Sequence, residues 1–121
     1  MVGANAQFAL PAVSATSTAS DITSSALTSG GSIDSDGGAF VTARGVVWNT
    51  NTNPTTSLST KTSDGTGIGT FSSSLTGLTS GVTYYVKAYA TNSVGTKYGP
   101  ELTVNTAQAV ATLASTTAAS S

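Results

Sequence analysis

The chain of 121 residues has no cysteine and no histidine. Disulfides, thiolate metal sites and imidazole chemistry are therefore excluded. Charge is nearly as scarce: four Lys and Arg stand against five Asp and Glu, 7% of the chain and a net −1. That balance offers no electrostatic footprint for nucleic acid or an anionic membrane surface. No apolar run approaches the ~20 residues that cross a bilayer. The helix formers Leu, Lys and Glu are few, which argues against helices.

What is abundant is Ser and Thr, about a third of the chain, with Val and Gly. These residues favour strands and turns. With so little charge, solubility rests on hydroxyls, which suits an extracellular surface. The N-terminal "ANAQ" (residues 4–7) has the small-x-small spacing of a signal-peptidase site. It reads either as a trimmed signal remnant or as chance in an Ala-rich stretch.

Turn signals recur at short intervals: "SGG" at 29–31, "DSDGG" at 34–38, "NTNTNP" at 49–54, "SDGTGIG" at 63–69, "SG" at 80–81 and "YGP" at 98–100. Between them lie short stretches of period-2 character, predicting strands over 11–18, 24–33, 39–48, 56–62, 69–75, 82–92 and 100–106. Regularly spaced short strands without a helical pattern predict an all-β fold, a seven-stranded antiparallel sandwich.

The stretch "LTGLTSGVTYYVKAYATNS" (75–93) sets the frame. Three of the four tyrosines fall within six residues of it. Alternation puts Tyr84, Val86, Ala88 and Ala90 on one face, and Tyr85, Lys87 and Tyr89 on the other. Burying Lys87 unpaired is costly, so its face is expected to look to solvent and Tyr84 to point inward. A buried phenol needs a hydrogen-bond partner, and Leu78 is placed to plug the same end of the core, a tyrosine corner. The remaining core is expected from Leu27, Ile33, Val41, Val47, Phe71, Leu75, Leu102 and Val104. On strand 39–48, Arg44 and Trp48 share a face, and this assigns Trp48 to the outer or edge side.

The set "LTGLTSGVTYYVKAYATNSVGTKYG" resembles the end of a fibronectin type III domain. The matching positions are Leu78, Gly81, Val82, Tyr84, Asn92 and Gly95, with Val82 where that family usually has Thr. The pattern over 28–55 and 64–106 is similar to repeat modules of large secreted surface proteins of Bacteroidetes-type bacteria. The resemblance implies an extracellular sandwich over residues 10–106, commonly in tandem, that spaces, adheres or assembles. It implies no catalysis and no cofactor.

Residues 1–9 then form an N-terminal extension. Residues 107–121, "AQAVATLASTTAASS", are a linker, the start of a further module, or a donor strand whose Val110 and Leu113 help it pair with the edge of another copy.

Chemistry finds little support. Ser has no evident base, and a Ser–Lys pair with Lys61 or Lys97 is the sole nucleophile arrangement on offer. Asp34 and Asp36 sit in a turn. "DSDGG" opens like a calcium loop, but position 45 is Gly where the closing Glu belongs. "DGTGIG" (64–69) lacks the Lys of a phosphate loop and reads as a hairpin turn.

Two functions follow. One is a non-enzymatic structural module of a bacterial surface fibre, whose partners are other copies of itself or neighbouring modules. The other is an adhesion module that takes a glycan or protein through the outer aromatics Trp48, Tyr85 and Tyr89, with Tyr98 at the rim.

Overall fold

The computed structural model describes residues 8–108. Seven strands form: β1 (Ala12–Thr16), β2 (Leu27–Ser35), β3 (Ala43–Asn49), β4 (Gly69–Leu75), β5 (Thr83–Thr91), β6 (Thr96–Tyr98) and β7 (Leu102–Asn105). Every pairing is antiparallel. One sheet has the order β1-β2-β4; the other carries β3 on one side of β5 and both β6 and β7 on the other. No helix occurs among the described residues, so none there is long and apolar enough to cross a membrane.

β6 and β7 are halves of one interrupted strand. Between the pairs Tyr89–Tyr98 and Val86–Leu102, β5 advances three residues and its partner four (89 − 86 against 102 − 98). The extra residue falls in Gly99-Pro100-Glu101. Pro cannot donate to the ladder, and a bulge accommodates it there.

The two sheets bury Val13, Leu27, Ile33, Val41, Val46, Trp48, Phe71, Leu75, Leu78, Tyr84, Val86, Ala88, Ala90 and Val104 between them. The inner face is narrow where Gly31 meets Ala88: a Cβ on Gly31 would lie 2.5 Å from the Ala88 methyl. Leu102 is partly buried against this core.

Two readings of strand 39–48 are corrected. Trp48 is inward, not outer: it pairs opposite Val86, and Val46 opposite Ala88, so both look between the sheets. Arg44 shares that face without being buried in the core. At the strand's end its guanidinium lies 5.2 Å from the centroid of the Phe71 ring and donates to the carbonyls of Asp64, Gly67 and Ile68. A long cation at a strand end can cap the apolar interior and keep its head polar. Val47 is fully buried but on the opposite face, paired with Lys87.

The strand expected over 56–62 does not form. Residues 60–64 instead run beside β3 as an irregular edge, held by Trp48 N–H to Thr60 O, Thr62 N–H to Val46 O and Asp64 N–H to Arg44 O. Only Val47 and Lys61 make a ladder-type bridge. "DGTGIG" is accordingly no hairpin: the chain crosses there from the β3 edge to β4 in the other sheet.

Candidate functional site: two poles, a covered face and an open edge

The Tyr84 pole is closed by the chain before β5. The hydroxyl of Tyr84 accepts from Thr79 N–H at 2.8 Å, and Leu78 N–H bonds Ser25 O. Gly81 turns the chain at φ +64, a left-handed conformation that glycine adopts without strain. The buried Thr106 hydroxyl donates to Thr79 O at 2.7 Å and accepts from Val82 N–H at 3.0 Å. The chain leaves the sandwich here: Ala107 N–H bonds Thr23 O, and Gly81 N–H bonds Ala107 O.

At the other pole the chain enters. Ala9 N–H bonds Gly37 O. The Asn92 side chain, 4% exposed, donates to Ala9 O and Asp36 O and accepts from Val94 N–H. Asp36 thus serves a turn, its carboxylate accepting from Gly38 N–H. Phe8, Leu10, Phe40, Ile68 and Val94, five of the six large exposed hydrophobics among the described residues, belong to the segments at this end. The segments are tied together, as in the bond from Gly67 N–H to Val41 O.

The outer face of the β3–β5 sheet does not present the expected aromatic stripe. Tyr89 is only 4% exposed. Its hydroxyl donates to Thr62 O at 2.5 Å, so the 60–64 segment lies over it. Burial raises the phenol's pKa above its usual range, and the nearby Asp64 carboxylate raises it further. Gly45 permits this approach: a Cβ there would stand 2.2 Å from Thr62 O. Tyr98 is half-buried, and its hydroxyl accepts from Thr56 N–H at 2.9 Å. Lys87 Nζ lies 5.4 Å from the Tyr98 ring centroid and donates to Asn53 Oδ1. Glu101 accepts from Asn53 N–H, and Pro54 is fully buried. Residues 50–64 therefore fold onto this face and make a second, smaller packed layer.

Trp48, Tyr85, Tyr89 and Tyr98 are thus not brought together as a surface. Trp48 is in the core, Tyr89 lies under the loop, Tyr98 pins that loop, and Tyr85 is half-buried. Val110 and Leu113 lie outside the described residues, as do residues 1–7. No group of three or more His, Cys, Asp or Glu that could hold a metal occurs among the described residues.

One feature carried no sequence signal. Along the side of β7 turned away from β5 runs a groove of about 340 Å³, lined by Thr18, Ala19, Ile22, Leu102, Thr103, Val104 and Asn105. Next to the β7 end of its lining, the Thr16 hydroxyl donates to Pro100 O at 2.6 Å. Past Ile22 and Asn105, Ala107 N–H bonds Thr23 O.

No family model matches the sequence, and no curated protein does. Solved structures do. The sixth fibronectin type III domain of human fibronectin type III domain containing protein 3 superposes with a TM-score of 0.60 at 16% identity, covering 88% of this chain and 94% of that one. The sensor domain of the anti-sigma factor RsgI4 of Pseudobacteroides cellulosolvens gives 0.59 at 14%, over 85% of this chain and all of that one. A fibronectin type III domain of human collagen XX gives 0.51 at 22%, over 84% and 96%. Against a multidomain piece of titin the TM-score is 0.57 at 18% identity, and this chain spans 32% of that piece. At such identities the likeness speaks for the fold alone. The described residues form a seven-stranded antiparallel β-sandwich of the fibronectin type III and immunoglobulin kind.

Proposed function

We propose that the chain is a non-enzymatic extracellular structural module, a repeat or subunit of a bacterial surface fibre that associates with other copies through strand addition. One observation carries this reading. The chain enters at the Phe8–Val94 pole and leaves at the Tyr84 pole, so modules joined through their termini run in series along the strand axis. The resemblance over residues 28–55 and 64–106 to secreted bacterial repeat modules supports the location. The solved fibronectin type III neighbours support a spacing or binding role over a chemical one.

Sedimentation velocity of the full chain over a wide concentration range tests the assembly. A ladder of species that lengthens with concentration is expected, and rod-like particles should appear in electron micrographs. A compact monomer at every concentration overturns the reading. Cleavage by a protease added outside intact source cells checks the location, and full protection there contradicts it.

The adhesion reading loses its first set of residues, since Trp48 and Tyr89 are buried. The apolar Phe8–Val94 pole is the surface on which that reading now rests.

A further inference from the structure

An antiparallel sandwich must deal with its open edges, because unpaired N–H and C=O groups invite another strand. The edges are those of β1 and β4 in one sheet and of β3, β6 and β7 in the other. At β1, the Thr16 hydroxyl donates to Pro100 O and the Gly99 backbone packs on Val13 and Thr16. Residues 60–64 run along β3. Beside β4, Arg44 lies over the Phe71 ring and the Thr62 and Ser73 hydroxyls are bonded, which crowds its inner face. β6 carries Lys97 and adjoins the same Gly99, on which a Cβ would touch Val13 and Thr16. β7, "LTVN", has no charge and no proline, and among the described residues no strand pairs with its side away from β5.

The register says which groups of β7 are free. Thr106 N–H bonds Val82 O, so by strand alternation Val104 and Leu102 also turn their N–H and C=O groups toward β5. Thr103 and Asn105 turn theirs the other way. Ala107 N–H, the next in that row, is taken by Thr23. Among the described residues nothing takes those of Thr103 and Asn105. They face the groove, whose walls include Ala19, Ile22, Leu102 and Val104. Ile22 is 42% exposed there.

We infer that this groove is the acceptor for a strand from the C-terminal segment 109–115 of a second copy, with Leu113 as the side chain that fills it. The inference rests on the self-associating structural module proposed above. In extended chain, Ala109, Ala111 and Leu113 share one face, and Val110 and Thr112 the other. The first set is wholly apolar and places one large side chain beside two small ones, as a groove of limited volume requires. Val110 and Leu113 cannot both point inward, so Leu113 is the anchor.

The occupant is a second copy for two reasons. Ala107 is held by both Thr23 and Gly81, which sends the chain out of the Tyr84 pole; returning to its own β7 requires it to pass around the 22–24 segment. Residues 109–121, thirteen in number, reach up to roughly 43 Å when extended, well beyond the ~30 Å of a nine-residue strand.

The absence of native cysteine makes a direct test clean. Full-length Thr103→Cys and full-length Thr112→Cys are mixed in equal amounts under mild oxidation. Both side chains lie on the outer side of the proposed pairing, where cross-strand Cβ atoms stand ~4.5–5.5 Å apart and a small backbone shift brings them to disulfide distance. The expected product is a heterodimer of the two variants, at least tenfold above that from Thr112→Cys mixed with Ser72→Cys, whose cysteine is exposed on the outer face of β4. Adding Leu113→Asp to the Thr112→Cys chain should remove the excess.

A yield equal to the Ser72→Cys control overturns the inference. So does a Thr103→Cys/Thr112→Cys double variant that closes on itself as a monomer, which would place the segment in its own groove. Sedimentation on the same samples separates the two levels. Oligomers without the specific disulfide remove this groove and leave the assembling module standing; monomers alone remove both.

Discussion

Tyr84 and Tyr89 lie on one strand, five residues apart, and each secures an irregular segment to it from opposite faces. Tyr84 points between the sheets and accepts from a backbone N–H of the turn before it. Tyr89 points out of the sandwich and donates to a backbone carbonyl of the 60–64 segment. The first locks a local turn, close in sequence; the second holds down a loop 27 residues away. Local closure is written in the spacing from Leu78 to Tyr84. Long-range cover is not, because alternation tells which face a side chain takes and nothing about whether a distant loop lies on it.

The comparison can be broken most forcefully at the inner site. Tyr84→Ala should destabilise by ~3–5 kcal/mol, the usual range for removing a large buried aromatic. Urea unfolding should show a lowered midpoint, and a loss under 1 kcal/mol would mean that the corner does not seal the core. Gly45→Ala comes next. Its methyl clashes with Thr62 O, and the 60–64 segment must lift, at a cost of ~1–3 kcal/mol. Faster proteolysis within 50–64, with the core strands intact, is the expected sign.

Tyr89→Phe removes one hydrogen bond and should cost ~0.5–1.5 kcal/mol, with the same local proteolysis to a smaller degree. It also carries a pH signature. Because the folded phenol's pKa is raised, its contribution is intact below the unfolded value of about 10 and is lost as pH climbs through the higher folded one. Wild-type stability should therefore fall more steeply above about pH 10 than that of Tyr89→Phe, read by unfolding at several alkaline pH values. Lys87→Met should have the smallest effect, under ~1 kcal/mol, since half-exposed cation–ring and amide contacts contribute little.

Much of the sandwich was legible. The alternation of 82–92 put Tyr84, Val86, Ala88 and Ala90 inward, and these are buried in the core. The turn signals delimited β4 at its observed bounds. Trp48 was misread because Arg44 shares its face and a cation argues for solvent. The structure resolves the conflict by length: Arg44 sits at the strand end and reaches carbonyls of the 64–68 loop, while Trp48 is further in. The stretch 56–62 looked like a strand from its period-2 character between turn signals, but with Pro54 buried and Asn53 at φ +58 it is a covering loop. The β7 groove had no sequence signal. It depends on where residues 18–22 pass relative to β7, a tertiary fact.

In the assembly proposed above, self-association turns on the β7 edge. Amide hydrogen exchange of the full chain at rising concentration tests this most directly. Protection at Thr103 and Asn105 should grow with concentration, while Leu102 and Val104, already bonded to β5, stay slow throughout. If the Thr103 and Asn105 amides exchange at the same fast rate at every concentration at which the chain is oligomeric, β7 is not the meeting point.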